Sequence, residues 1–86
     1  MNEHSDNPEP ADPVTADDYN SLGRLYAARQ KHPEATRAFR KALALDSGCA
    51  EVFYNQALSL TAQGRLDEAI DSYTHAIRLK PGFAEA

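Results

Sequence analysis

The sequence predicts an all-α fold, an α-solenoid built from stacked helical repeats, and three observations lead to that prediction. Residues 16–49 and residues 50–83 align without a gap, at a period of 34 residues. Apolar residues in each segment recur at the intervals of an amphipathic helix, and no run alternates as a half-buried strand does. Turn-forming residues divide each segment in two. A period of this size indicates stacked supersecondary units, an architecture that mostly binds other molecules.

The alignment of the two segments pairs residues that are identical or alike in size and polarity. The identical pairs are Ala16/Ala50, Ala28/Ala62, Glu34/Glu68, Ala35/Ala69, Ala42/Ala76, Leu45/Leu79 and Gly48/Gly82. The similar pairs are Tyr19/Phe53, Gly23/Ala57, Phe39/Tyr73 and Leu43/Ile77. Small residues that oppose bulky rings allow neighbouring helices to approach closely. We therefore expect helices at about 16–30, 33–46, 50–63 and 67–79, with ends uncertain by roughly two to four residues.

Residues near the expected helix ends support these boundaries. Thr15 and Asp18 have the spacing of a capping box at the start of the first helix. Pro33 suits the first turn of the second helix, where its missing N–H costs little. Gly64 is expected to separate the third helix from the fourth, and Gly48 to close the second helix.

The spacing of these residues resembles that of the tetratricopeptide repeat, a helix–turn–helix unit of 34 residues. The first segment contains Tyr19-x2-Leu22-Gly23-x2-Tyr26, followed by Ala35-x3-Phe39 and Ala42. The second contains Phe53-x2-Gln56-Ala57-x2-Leu60, followed by Ala69-x3-Tyr73, Ala76 and Pro81. The resemblance implies a right-handed stack of four antiparallel helices that acts as a non-enzymatic protein-binding module.

The two ends of the chain differ from the repeats in composition. Residues 1–14 contain three prolines, four acidic residues and no Lys or Arg, so we expect a disordered acidic tail. The remaining residues, 15–86, carry nine acidic and nine basic side chains and form the predicted domain. Residues 84–86 restart the repeat pattern. Because repeat arrays usually need three or more units, the chain is expected to be an excerpt from a longer protein.

Few residues suggest catalysis, metal binding or nucleic-acid binding. The three histidines lack metal-ligand spacing, and no glycine-rich phosphate loop is present, so we expect no catalytic site, metal or cofactor. A domain without net charge lacks the electrostatic footprint of nucleic-acid binding. No secretory signal or membrane-spanning stretch is recognised. The single cysteine, Cys49, excludes an intramolecular disulfide, and a cytoplasmic location is the natural expectation.

The family resemblance implies that peptides bind a concave groove lined by the first helix of each unit. The exposed positions selected on those helices are Asn20, Arg24, Tyr54, Asn55, Leu58 and Thr61. One subclass of the family clamps the C-terminal carboxylates of heat-shock chaperones with lysines and asparagines. This chain matches that clamp only at Asn55, and it carries Glu85 where the clamp has a lysine, so chaperone-tail binding is disfavoured.

The function predicted first is a protein–protein interaction scaffold, and two alternatives remain open. The repeats could be the N-terminal substrate-recruiting region of a larger glycosyltransferase or sulfotransferase. They could also be a self-assembly module, because the last helix carries an apolar flank that a third unit would normally cover. We therefore expect either marginal stability or a homodimer formed through the C-terminal end of the stack. The residues of that flank are Leu66, Ile70, Tyr73 and Ile77.

Overall fold

The computed structural model describes residues 15–82, and within this range the chain forms four helices and no strand. Their bounds are α1 Ala16–Ala28, α2 His32–Leu45, α3 Ala50–Ala62 and α4 Leu66–Leu79. The bounds of α3 and α4 are those of α1 and α2 shifted by 34 residues. The four predicted helices are therefore confirmed, with ends within two residues of the expected ones. The predicted tail at 1–14 and the restarted repeat at 84–86 lie outside the described residues.

The starts of the helices follow the chemistry that the sequence predicts. Thr15 and Asp18 form a reciprocal capping box: the Asp18 N–H donates to Thr15 Oγ1, and the Thr15 N–H donates to Asp18 Oδ2, both at 3.1 Å. These bonds satisfy backbone donors that an α-helix leaves unpaired at its N-terminus. Pro33 is the second residue of α2, where no backbone hydrogen bond is lost.

The turns inside the two repeats each contain one residue in the left-handed conformation, at the same position of the repeat. Gly64 has φ +77°, and Gln30, its equivalent in the first repeat, has φ +65°. Glycine adopts this conformation readily, whereas glutamine pays a steric cost for it. The expectation that Gly48 closes α2 is wrong. The helix ends at Leu45, Asp46 caps it in an extended conformation, and the Gly48 N–H donates to Asp46 Oδ1 at 3.0 Å.

The helices pack in chain order: α1 against α2, α2 against α3, and α3 against α4. Phe39, at the middle of α2, is almost fully buried and forms a core cluster with Ala35, Ala42 and Val52. Gly23 on α1 faces the Phe39 ring so closely that a Cβ there would lie 2.6 Å from Phe39 Cδ1. The missing side chain of Gly23 thus allows α1 to settle on α2.

Between residues 15 and 82, no helix is both long enough and apolar enough to span a membrane.

Candidate functional site

The first helices of the two repeats, α1 and α3, lie side by side and are joined by a pair of asparagines. Asn55 Nδ2 donates to Asn20 Oδ1 at 3.1 Å. Asn20 is buried, and Asn55 is half-buried. Buried amides need such partners, because an unpaired polar group in a protein interior is costly. The pair therefore links α1 to α3 directly, while both helices pack on α2.

A concavity of about 320 Å³ lies beside this asparagine pair. Its walls are supplied by α1 and α3, and part of α2 closes it behind them. Phe39, Leu58 and two alanines give it an apolar surface, and Arg24 and Asn55 add polar groups. This combination, an apolar recess with a few polar groups, is typical of a ligand site. The residues that line it are Arg24, Ala27, Ala28, His32, Phe39, Asn55, Leu58 and Ser59.

Arg24 is the cation of this concavity, and within residues 15–82 it forms a long ion pair with Glu51. Arg24 Nη1 lies 4.0 Å from Glu51 Oε2, and both side chains are more than half exposed to solvent. An exposed pair of this length is weak, because water and salt screen it. The guanidinium can therefore exchange Glu51 for another carboxylate or carbonyl oxygen at little cost.

His32 lines the concavity from the start of α2. Its Nε2 lies 3.4 Å from Gln30 Oε1, a long contact, and its buried Nδ1 makes no hydrogen bond to any residue of the described range. A buried nitrogen without a partner is uncommon in proteins.

The structure brings together half of the groove residues predicted from the sequence. Arg24, Asn55 and Leu58 line the concavity. Thr61 lies exposed on α3 and donates to the Ala57 carbonyl at 2.8 Å, while Tyr54 packs edge-on against Tyr73. Asn20, expected as an exposed contact, is instead buried beneath the surface as the partner of Asn55.

Of the remaining lining residues, Ala27 lies on the side of α1 that the sequence predicts for the groove, whereas the others were not predicted. Phe39 and His32 belong to α2, which the resemblance assigned to the opposite side of the stack. Ala28 is small, and it matters because it leaves room rather than because it makes contacts. The signal that was available was Gly23: a glycine opposite an aromatic ring indicates that the ring lies close beneath the first helix.

The apolar flank predicted on the last helix also exists, at the other end of the molecule. We define the C-terminal face as Leu66, Ile70, Tyr73 and Ile77 of α4. Ile70 is 62% exposed and Leu66 is 57% exposed. Thr36, the α2 residue equivalent to Ile70, is only 2% exposed, because α3 covers it. Within residues 15–82, no helix packs over Leu66 and Ile70, whereas Tyr73 is half-buried against Tyr54 of α3.

No group of three or more His, Cys, Asp or Glu side chains is placed to hold a metal ion within residues 15–82. Cys49 is half-buried at the junction between the repeats, where it packs against the Phe39 cluster.

Comparisons with known proteins agree with this architecture. The family model described as tetratricopeptide repeat matches residues 20–82. The chain is 31% identical over 78 residues to the tetratricopeptide repeat and J domain-containing co-chaperone DNJ1 of Cryptococcus neoformans, covering 91% of this chain. It is 33% identical over 72 residues to the protein O-mannosyl-transferase TMTC1 of Homo sapiens, covering 79% of this chain. It spans only 15% and 8% of the lengths of these two relatives.

A solved structure shares the fold. The crystal structure of MamA superposes with a TM-score of 0.77 and 25% sequence identity. The match covers 87% of this chain and 44% of that chain. The all-α repeat fold predicted from the sequence is thus supported by an independent structure.

Proposed function

This chain belongs to the tetratricopeptide repeat family, and from that premise we propose that it is a protein-binding scaffold whose concavity receives a short segment of a partner protein. Repeats of this family typically mediate protein–protein interaction, and one relative is named as a co-chaperone, a protein that works together with another protein. The partner segment would insert an apolar side chain between α1 and α3. Arg24 and Asn55 would hold an oxygen atom beside it.

The observation that carries this proposal is the composition of the concavity together with its position. Both repeats contribute walls, so the recess exists only when the two repeats are stacked, and the Asn20–Asn55 hydrogen bond lies at its edge. Its volume of about 320 Å³ is at the lower end of the range for ligand pockets, roughly 300–1,000 Å³. It therefore fits one or two side chains of a peptide. We expect weak binding, because two repeats offer a small contact area.

The oxygen that Arg24 and Asn55 would bind is a carboxylate or a backbone carbonyl of the partner. Arg24 supplies guanidinium donors, and its present contact with Glu51 is weak. Asn55 uses one of its two amide protons on Asn20, and a second amide proton belongs to the same group. The Asn20 amide thus acts as a positioning group that holds Asn55 at the edge of the recess.

Peptide display followed by chemical-shift mapping tests this proposal. A random-peptide library is selected on the chain, and the selected peptide is titrated into isotope-labelled protein. We expect the largest shifts at Arg24, Asn55 and Leu58, and loss of binding in Leu58→Asp, which keeps its fold because Leu58 is exposed. The matched control is Arg37→Asp, an exposed position on α2. Shifts confined to Arg37, Arg40 and Lys41 would contradict the proposal.

A second candidate function is self-association through the C-terminal face. The exposure of Ile70 and Leu66 supports it, because a cluster of exposed apolar side chains of this kind favours association. This candidate is independent of the concavity, since Arg24 and Leu58 lie on α1 and α3. Sedimentation across a wide concentration range tests it: a strict monomer would contradict self-association and leave peptide binding untouched.

A third candidate places the repeats at the start of a larger enzyme, where they recruit protein substrates. The similarity to an O-mannosyl-transferase supports this alternative, although the chain spans a small part of that relative. The reading frame beyond residue 86 discriminates between the candidates. A long α/β domain there favours the enzyme, and further 34-residue units alone favour the scaffold. A cytoplasmic setting also belongs to this proposal, supported by the single thiol of Cys49.

A further inference from the structure

The contact between α2 and α3 shows what covers the equivalent of the C-terminal face inside the molecule. Gln63 Nε2 on α3 donates to Thr36 Oγ1 at 3.0 Å, and Val52 on α3 packs in the Phe39 cluster. Val52, Ser59 and Gln63 follow one another at intervals of seven and four residues, so they share one face of α3. That face of a first helix is therefore the natural cover for a second helix of the preceding repeat.

Within residues 15–82, no other helix packs on the same face of α1. Its residues are Asp18, Leu25 and Arg29, the equivalents of Val52, Ser59 and Gln63, and we call them the N-terminal face. Leu25 is 60% exposed, whereas Ser59 is 1% exposed. Leu25 is thus exposed at one end of the stack, and Ile70 is exposed at the other. Their equivalents, Ser59 and Thr36, are both buried in the contact between α2 and α3.

Some residue changes between the internal contact and the two end faces are paired. Inside the molecule, the Gln63 amide donates both to Thr36 Oγ1 and to the Ser59 carbonyl, so Thr36 and Ser59 lie close together. At the ends, their equivalents Ile70 and Leu25 would lie close together and add an apolar contact, while the Thr36–Gln63 hydrogen bond would have no counterpart. Inside the molecule, the Gln63 amide lies 3.4 Å from the His32 carbonyl oxygen. At the ends, the Arg29 guanidinium would take the place of that amide, and a guanidinium also donates hydrogen bonds.

The aromatic position of the core changes in the same paired way. Phe39 packs against Val52 inside the molecule. At the ends, Tyr73 would lie against Asp18, so a ring–methyl contact becomes a phenol facing a carboxylate. The phenol O–H can donate to Asp18, whose carboxylate accepts the Thr15 N–H through Oδ2 and has a second oxygen, Oδ1. A buried carboxylate placed there would therefore have a hydrogen-bond donor.

The charges at the helix ends are complementary as well. Only residues 46–49 separate α2 from α3, so the C-terminus of α2 lies near the N-terminus of α3. In the corresponding arrangement of the end faces, Arg78 and Lys80 at the end of α4 would approach Asp17 and Asp18 at the start of α1. The junction between α2 and α3 lacks these opposite charges, because Ala44 and Asp46 are the equivalents of Arg78 and Lys80. Opposite charges steer association and set its orientation.

From these matches we propose that the C-terminal face of one copy docks on the N-terminal face of a second copy, head to tail, in the geometry of the internal α2–α3 contact. The inference rests on the second candidate function, self-association, and it names the occupant and the orientation. Each copy then has one face of each kind. A contact of this sort is heterologous and leaves a free face at both ends of every assembly, so it builds open chains rather than a closed dimer.

Two single variants and their mixture test the orientation by sedimentation velocity. Wild-type chain is expected to sediment faster as its concentration rises, without a plateau at the dimer. Leu25→Glu and Ile70→Glu each block one face, and each is expected to weaken association by roughly tenfold or more, because a large apolar side chain no longer becomes buried. Both residues are exposed and glutamate favours helices, so both variants are expected to retain the helical circular dichroism of the wild type.

The mixture is the decisive sample. An equimolar mixture has one intact junction, between Ile70 of the Leu25→Glu chain and Leu25 of the Ile70→Glu chain. It is expected to form a dimer and nothing larger, while each variant alone is monomeric. The control, Arg37→Glu, changes the net charge by two units at an exposed position outside both faces, and it is expected to associate like wild type.

Other outcomes overturn the proposal in distinguishable ways. If Leu25→Glu alone associates like wild type, the C-terminal face pairs with itself: self-association stands and the head-to-tail arrangement falls. A mixture that stays monomeric, or an Arg37→Glu control that disperses the assemblies, also overturns the arrangement. A wild-type chain that is monomeric at every concentration overturns self-association altogether and leaves a further helical unit, or another protein, as the cover of the C-terminal face.

Discussion

The second helix of each repeat, α2 or α4, has the same length and occupies the same positions of the 34-residue unit. Nevertheless, α2 is a core helix and α4 is a surface helix. Phe39 on α2 is almost fully buried, and its equivalent on α4, Tyr73, is half-buried. The cause is position in the stack: α2 packs against both α1 and α3, whereas α4 packs against α3. In a repeat protein, therefore, the neighbours of a residue decide its contribution to stability more than its place in the motif does.

The largest test of this comparison is truncation of the two aromatic residues. Phe39→Ala is expected to lower the free energy of unfolding by about 3–5 kcal/mol, because it leaves a cavity among the buried residues Ala35, Ala42 and Val52. Tyr73→Ala is expected to lower it by only about 1 kcal/mol, since part of that ring is already in water. Far-UV circular dichroism without urea shows whether each variant is folded, and urea unfolding measures the loss for the variants that remain folded.

Because a domain of this size is only marginally stable, Phe39→Ala is expected to be largely unfolded without urea. Phe39→Leu provides a milder control that keeps most of the side-chain volume. Equal losses for Phe39→Ala and Tyr73→Ala would show that α4 is covered as fully as α2, which would break the comparison.

A smaller difference is expected at the small residues opposite these rings. Gly23→Ala should lower the free energy of unfolding by about 1–3 kcal/mol, because the new Cβ would lie 2.6 Å from Phe39 Cδ1. Its equivalent Ala57 already carries that methyl group, and Ala57→Gly is expected to lose about 1 kcal/mol through helix propensity and lost packing. The exchange of glycine and alanine should thus destabilise the protein in both directions, as Gly23→Ala and as Ala57→Gly.

The Phe39→Leu background sharpens this prediction, since a leucine can move away from the added methyl group. There, Gly23→Ala should have little effect or be stabilising, and the double-mutant cycle should show coupling between the two positions. Independent, additive effects would mean that the Phe39 ring does not limit the approach of α1.

The smallest expected effects concern the turns. Gln30→Gly should raise the free energy of unfolding by about 0.5 kcal/mol, because glycine has no steric cost at the left-handed φ of +65°. The greater conformational entropy of glycine in the unfolded chain offsets part of that gain. Gly64→Gln should lower it by about 1 kcal/mol. A Cβ at Gly64 would meet no atom within 4 Å, so that loss would come from the backbone alone. A stabilised Gly64→Gln variant would contradict this account.

The candidate site was only half predictable from the sequence, for a physical reason. Helical periodicity places Arg24, Asn55 and Leu58 on the outer side of the first helices, and they do line the concavity. Periodicity does not report lateral hydrogen bonds between helices, and so it did not show that Asn20 would be buried against Asn55. It also did not reveal that Phe39 closes the recess from behind, because that depends on how closely α1 approaches α2.

The sequence by itself determined the repeat, the number of helices and, apart from how α2 ends, their bounds to within two residues. Periodic apolar residues, the capping box and Pro33 act within a few residues of chain, so they can be read without the tertiary structure. The sequence did not determine the end of α2, where the Asp46 side chain replaces the expected glycine cap. Only the tertiary structure decided which of two equivalent residues is buried, as with Thr36 and Ile70 or Ser59 and Leu25. The physical reason is that burial depends on the helices packed on each face, and equivalent faces of the two repeats have different neighbours.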